Sequence, residues 1–149
     1  MPDDRTLERL WDLEDIKQLK ARYFRLIDTK QWDEWRDLFT EDCRHYLPIA
    51  VGADPPAQTN EQYFEQVPAA LGNSVTIHHG HMPEITFLSD TEAEGIWAMF
   101  DYVQDRSRST GMQGYGHYYE TYRKCADGRW RISSKRNVPL RKDEVSNAL

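Results

Sequence analysis

Cysteine is scarce: Cys43 and Cys125 are the two cysteines in 149 residues, far apart and outside any CxxC pair. That leaves no disulfide framework and no thiolate zinc site, and both read as reduced packing residues of a cytoplasmic protein. The chain has no apolar run near 18 residues, and its mean hydropathy is −0.82, which excludes a helical membrane span. An excess of positive charge is missing too: 19 Lys+Arg stand against 25 Asp+Glu, a formal net charge of −6. Such a chain repels phosphate backbones and anionic lipid, so neither nucleic acid nor a membrane is an expected partner. The opening MPDDRTLERL carries acidic residues where a signal peptide has a basic segment and then an apolar one, so export is not expected. No internal repeat or break in composition marks a boundary, and 1–149 reads as one domain.

What is present is a helical first part and a strand-rich second part. Leu7, Leu10, Leu13, Ile16, Leu19, Tyr23, Leu26 and Ile27 recur every three or four residues, the pattern of a long amphipathic helix. Thr6 is the expected cap, with Lys17, Lys20, Arg22 and Arg25 toward the negative end of its dipole. QWDEWRDLF reads as a short second helix, CRHYLPI as a strand, and the stretch from about Glu61 to Leu71 as a third helix capped by Thr59 or Asn60. The period then changes to two through SVTIHHGHM, EITFL, EAEGIWAMFDYVQ, GHYYETYRKC and WRISSKRNV, with hairpin turns at Ser89-Asp90, through RSRSTGMQGYG and at Asp127-Gly128. Helices followed by strands predict an α+β fold, a curved antiparallel sheet with helices laid against one face.

Several polar residues break these patterns. Asp101 alternates in phase with Trp97 and Met99, which aims a carboxylate at the interior; a strand-end aspartate reaching water past a bulge is the alternative. Arg136 is in phase with Trp130 and Ile132, and a one-residue register slip substitutes Lys135. Asp28 ends the long helix, where the dipole opposes its charge, although with Gln31 it also fits a capping box for the second helix. Tyr23 lies on the apolar stripe and needs a partner for its hydroxyl. Three of the five histidines fall in TIHHGHMPEI. A strand puts His78 on one face and His79 with His81 on the other. A lone histidine beside a carboxylate suits a general base; a His-x-His pair near Glu84 would suit a metal. No second histidine motif follows late in the strands, so no metal site is expected.

Together IKQLKARYFRLIDTKQWDEWRDLFTEDC, TIHHGHMPEITF, GIWAMFDY and YRKCADGRWRIS resemble the SnoaL-like branch of the nuclear transport factor 2-like superfamily, from about Leu10 to Arg141. Within it the chain is similar in particular to the bile-acid 7α-dehydratases, and more distantly to scytalone dehydratases and hexachlorocyclohexane dehydrochlorinases. The resemblance implies a cone-shaped barrel, a curved sheet wrapped around N-terminal helices, in a cofactor-free lyase that forms trimers or dimers. It places the family's acid–base dyad on Asp28 and His78, its tyrosine on Tyr23 and its second acid on Asp101. The dehydratases' arginine falls on Pro139 here, and Arg136 or Arg141 would have to supply it from a neighbouring position.

The expected function is therefore a dehydratase or isomerase for a small hydrophobic cyclic, steroid-like or polyketide-like molecule. His78, oriented by Asp28, would remove a proton beside a carbonyl, Tyr23 and Asp101 would hydrogen-bond oxygen, and Arg136 would stabilise negative charge. Tyr46, Phe64, His79, His81, Trp97, Met99, Tyr115 and Tyr119 are the expected pocket lining. A non-catalytic ligand carrier, or the small subunit of a ring-hydroxylating dioxygenase, is the alternative on the same fold.

Overall fold

The computed structural model describes residues 3–47 and 50–146. Pro48 and Ile49, the end of the expected CRHYLPI strand, lie outside the described residues. Three helices, α1 (Asp4–Asp28), α2 (Trp32–Arg36) and α3 (Asn60–Leu71), accompany five strands, β1 (Phe39–Tyr46), β2 (Ser74–Phe87), β3 (Glu92–Asp105), β4 (Thr110–Lys124) and β5 (Trp130–Ser146). The strands form one curved sheet in the order β1-β5-β4-β3-β2, antiparallel except where β1 runs parallel to β5. The sheet wraps α1 and α3 into the α+β cone expected from the sequence. None of the described helices is long and apolar enough to cross a membrane.

The N-cap of α1 is Asp3 rather than Thr6: its side chain accepts a hydrogen bond from the Thr6 backbone N–H at 2.7 Å. Aspartate one turn earlier satisfies the same free N–H groups. The buried stripe runs through Asp12, Ile16, Leu19, Lys20, Tyr23, Leu26 and Ile27, while Leu7, Leu10 and Trp11 are exposed. Asp12 accepts from Trp130 Nε1 at 2.8 Å and Lys124 Nζ at 2.7 Å, which pins the helix to β4 and β5. Around this stripe Trp35, Phe39, Tyr63, Tyr122 and Ile132 close a core rich in ring contacts.

Lys20, one of the cations toward the negative end of the α1 dipole, is fully buried, and its Nζ lies 2.5 Å from Glu120 Oε1. Tyr122 donates to the other Glu120 oxygen at 2.6 Å and accepts from Trp97 Nε1 at 2.8 Å. Lys20 Nζ also lies 3.7 Å from the centre of the Tyr118 ring. The pair is thus both hydrogen-bonded and covered by an aromatic face, the conditions under which a buried ion pair is tolerated.

His45 on β1 is buried, stacked on Tyr63 at 3.8 Å, with Nε2 2.8 Å from Asn60 Oδ1. Burial is the main reason its imidazolium is held down to about 4.

Two outcomes are expected. Glu120→Ala leaves Lys20 buried without its partner and should lower unfolding stability by about 3–5 kcal/mol in urea, whereas Lys20→Met with Glu120→Leu should cost much less than that single change. His45 binds a proton more readily unfolded than folded, so its contribution is present above the ordinary histidine pKa of about 6.5 and is lost as pH falls toward 4. A His45→Gln variant should accordingly show a flatter stability curve over that interval.

Candidate functional site

The end of α1 builds the site. Asp28 is its last residue, Thr29 caps it, and Lys30 turns the chain with a left-handed φ of 59°. The Asp28 carboxylate receives three hydrogen bonds from β2: Thr76 Oγ1 at 2.9 Å and His78 Nδ1 at 2.6 Å reach Oδ1, and the His78 backbone N–H reaches Oδ2 at 2.9 Å. Lys30 Nζ donates in turn to Thr76 Oγ1 at 2.6 Å. These donors hold the charge that the helix dipole disfavours. The capping-box alternative is not realised, since Gln31 caps α2 without a side-chain bond and its amide donates to Thr29 Oγ1 instead. The contact selects the tautomer in which a neutral His78 donates from Nδ1 to the carboxylate and keeps its lone pair on Nε2.

His78 lines a cavity of about 200 Å³ whose other walls are Tyr23 and Ile27 of α1, Leu47, the α3 residues Tyr63, Val67 and Leu71, Asp101, and Lys135 and Asn137 of β5. Asp101 pairs directly with His78 across the β2–β3 ladder and with Gly114 across β3–β4. Its inward position is possible because Gly114 has no side chain: a Cβ there would collide with the Asp101 carboxylate. The Tyr23 hydroxyl lies 3.3 Å from that of Tyr63, and burial raises both phenols, so each stays a neutral donor. Burial likewise dominates at Cys43, whose thiol is pushed up to about 12.

Arg136 does not enter this cavity. Ser133 and Ser134 both place their hydroxyls on Thr121 Oγ1, at 2.7 and 2.8 Å, and the β4–β5 register shifts there. This bulge inserts one residue and exchanges the two faces of β5 beyond it. Lys135 therefore turns inward and is 1% exposed, while Arg136 turns out to Asp54 at 2.7 Å and lies over the Tyr46 ring. Arg141 is also outside, bonded to Asp143.

The expected lining needs similar correction. Tyr46, His79, His81, Tyr115 and Tyr119 lie on the outer face of the sheet, because alternation sends them opposite Cys43, His78 and Tyr118. His79 and His81 are exposed, with rings 5.8 Å apart. Phe64 packs beside Trp35 while its neighbour Tyr63 faces the cavity. Trp97 and Met99 are on the inner face but cluster with Tyr118 under Phe24 instead of lining the cavity. Tyr63 and Val67 are outside the expected lining, although their i, i+4 spacing in α3 was an available signal, and Asn137, in phase with Lys135, comes inward with it.

A wider groove of about 770 Å³ lies elsewhere, between β1, α3 and the β4–β5 turn. Its guanidiniums are already held, Arg36 by Asp33, Arg123 by Asp42 and Arg131 by Asp127. The Asp28–His78 pair, by contrast, borders the smaller cavity.

Fold and cavity together describe an α+β cone holding a carboxylate–histidine pair at its interior. The chain belongs to the SnoaL-like domain family, matched over residues 8–136. Its fold is similar to that of a protein from Novosphingobium aromaticivorans DSM 12444 provisionally named scytalone dehydratase, at 22% identity and a TM-score of 0.82 over 97% of each chain. It is also similar to a type 2 hexachlorocyclohexane dehydrochlorinase, LinA, at 17% identity and a TM-score of 0.81 over 96% of this chain and 95% of that one. A third similar structure, from Novosphingobium aromaticivorans, is provisionally named an aromatic ring hydroxylase, at 20% identity and a TM-score of 0.76 over 91% and 94%.

Gly114→Ala should drive the Asp101 side chain out of place and lower stability by about 1–3 kcal/mol in chemical denaturation. Shortening the clashing group with Asp101→Ser in the same chain should recover part of that loss; equal stability of wild type and Gly114→Ala would show that the close approach does not matter.

Proposed function

We propose that this protein is a cofactor-independent lyase or isomerase of the dehydratase type, with His78 as its general base. The observation that carries the reading is the 2.6 Å contact of Asp28 with His78 Nδ1, beside a cavity that also holds phenol donors and a second carboxylate. Asp28 fixes the imidazole tautomer and favours the imidazolium that forms when Nε2 takes a proton. The neutral Tyr23 and Tyr63 hydroxyls supply hydrogen bonds to the carbonyl oxygen as negative charge develops there. Asp101 holds the leaving hydroxyl. The proton that His78 removes from the carbon beside the carbonyl is returned to that hydroxyl, which departs as water, and the base is restored.

The lining is mostly aliphatic and aromatic, and about 200 Å³ is smaller than the space that drug-sized ligands occupy. A compact cyclic or polyketide-like β-hydroxy carbonyl compound therefore fits this reading better than a whole steroid. The resemblance to bile-acid 7α-dehydratases supports the reaction more than it supports their substrate, because Pro139 stands where their arginine does and Arg136 faces outward. The reading extends to a cytoplasmic homo-oligomer, a trimer or dimer. Its support is the exposed Ile77, Tyr115 and Tyr119 on the outer sheet face.

A screen of small cyclic β-hydroxy ketones, followed by the ultraviolet absorbance of the conjugated product, tests the chemistry. His78→Ala should reduce kcat by roughly 10²–10⁴, and Asp28→Asn, which keeps the shape but not the charge, should reduce it substantially. Unchanged turnover in both variants would refute the dyad.

A further inference from the structure

We propose that Lys135 is a nucleophilic amine that captures small aldehydes and ketones entering the cavity as imines, an activity distinct from proton removal by His78.

The bulge at Ser133 and Ser134 puts this side chain on the cavity wall together with Tyr23, Tyr63, His78, Asp101 and Asn137. Its Nζ donates a hydrogen bond to Asn137 Oδ1 at 2.8 Å. The ring centres of Tyr23 and Tyr118 lie 5.5 Å from Nζ and that of Tyr63 lies 5.6 Å away. Among the described residues Lys135 has no ion pair. Glu120, the carboxylate whose charge acts most to keep it protonated, already gives one oxygen to Lys20 and the other to Tyr122.

Two buried amines therefore share one carboxylate, and Lys20 holds it. An ammonium kept from water without a counter-ion gives up its proton, the more so beside a second cation, and a desolvated lysine of this kind is a nucleophile near neutrality. The groups that face Lys135 balance in that direction. Burial comes first and the charge of Lys20 on α1 second; both lower its pKa, against Glu120 on β4, Cys43 on β1 and Asp101 on β3. Lys135 itself acts to lower the pKa of its ladder partner His45, and Tyr23, Tyr63 and Tyr118 remain neutral phenols around it. The result is an amine held down to about 7. At neutral pH more of it is therefore free base than of an ordinary lysine.

The capture step needs no oxidant or reductant. The amine lone pair forms a bond to the carbonyl carbon while the carbonyl electron pair moves to oxygen. The carbinolamine then loses water, and both protons of the amine leave on that oxygen. The phenol hydroxyls can hydrogen-bond the oxygen as its charge grows, and Asn137 Oδ1 orients the amine by accepting a hydrogen bond from it. The volume limits the partner to a compact aldehyde or ketone.

Cyclohexanone is a suitable probe, because exposed ammonium groups react with it slowly. The full-length protein is incubated with cyclohexanone and sodium cyanoborohydride, which reduces iminium ions in preference to the free ketone, between pH 6 and 9, and the modified lysines are identified by peptide mass mapping. The expected result is one reduced adduct on Lys135, formed at least about tenfold faster than on Lys17, Lys30, Lys124 or Lys142, with a rate that rises through pH 7. Lys135→Met should abolish the adduct, and Lys135→Arg, which retains the charge, should abolish it equally if the first variant folds poorly. His78→Ala should retain it, which separates failure of this proposal from failure of the elimination mechanism. Labelling spread over surface lysines without preference for Lys135, or unaltered in a folded Lys135 variant, would overturn the assignment.

Discussion

The carboxylate at the end of α1 ties the first half of the chain to the second. Asp28 accepts three hydrogen bonds from β2, two of them from a single residue, His78. A helix C-terminus is an unfavourable place for a negative charge, so the position is stable only while those donors are in reach. They are in reach only if α1 lies at the right height across the sheet. That height is set at the other end by Asp12, which holds Trp130 and Lys124, and in the middle by Lys20 on Glu120. One helix thus carries three anchoring contacts, and the last of them is also the contact that orients the His78 imidazole, the proposed base. Stability and chemistry are joined at Asp28, where a contact that fixes the helix also fixes the tautomer.

Much of this was readable from the residues. The helical period of α1, the alternation of the late strands and the α+β order follow from hydrophobic spacing, and the polar residues that interrupted the spacing, Asp28, His78, Asp101 and Tyr23, meet at the end of α1 and the adjoining cavity. Alternation also sends His79 and His81 to the face opposite His78, so their assignment to the lining conflicted with their own phase. What alternation cannot supply is the place where it is broken. Nothing in WRISSKRNV marks Ser133 and Ser134 as sharing a single partner on β4, yet that sharing decides whether Lys135 or Arg136 is inside. A second shift follows at Gly116, and another in β2 between His81 and Glu84, where Met82 takes a left-handed φ of 43°. Bulges are tertiary choices made to bend a sheet around helices, and they leave little local signal.

The burial of Lys20 escapes the sequence for a related reason. Its spacing fits either the edge of the buried stripe or the solvated side, and a lysine defaults to water when read alone. Only Glu120, a hundred positions later, makes burial tolerable, and a partner that distant is invisible to helical periodicity.

That pairing has an electrostatic consequence for the cavity. In a low-dielectric interior the first ion pair to form uses up the available counter-charge, and any further ionisable group must find another solution. Tyr23, Tyr63 and Tyr118 solve it by staying protonated, and His45 solves it by staying neutral. Lys135 solves it by giving up a proton near neutral pH. An interior arranged in this way sets two carboxylates beside the cavity, Asp28 behind the imidazole and Asp101 across the ladder from it, and presents neutral phenols and the Lys135 amine to whatever enters. Such an interior favours reactions in which charge appears on the substrate in the transition state instead of being carried in by it, because neutral groups cost little to desolvate beforehand and respond strongly once charge develops.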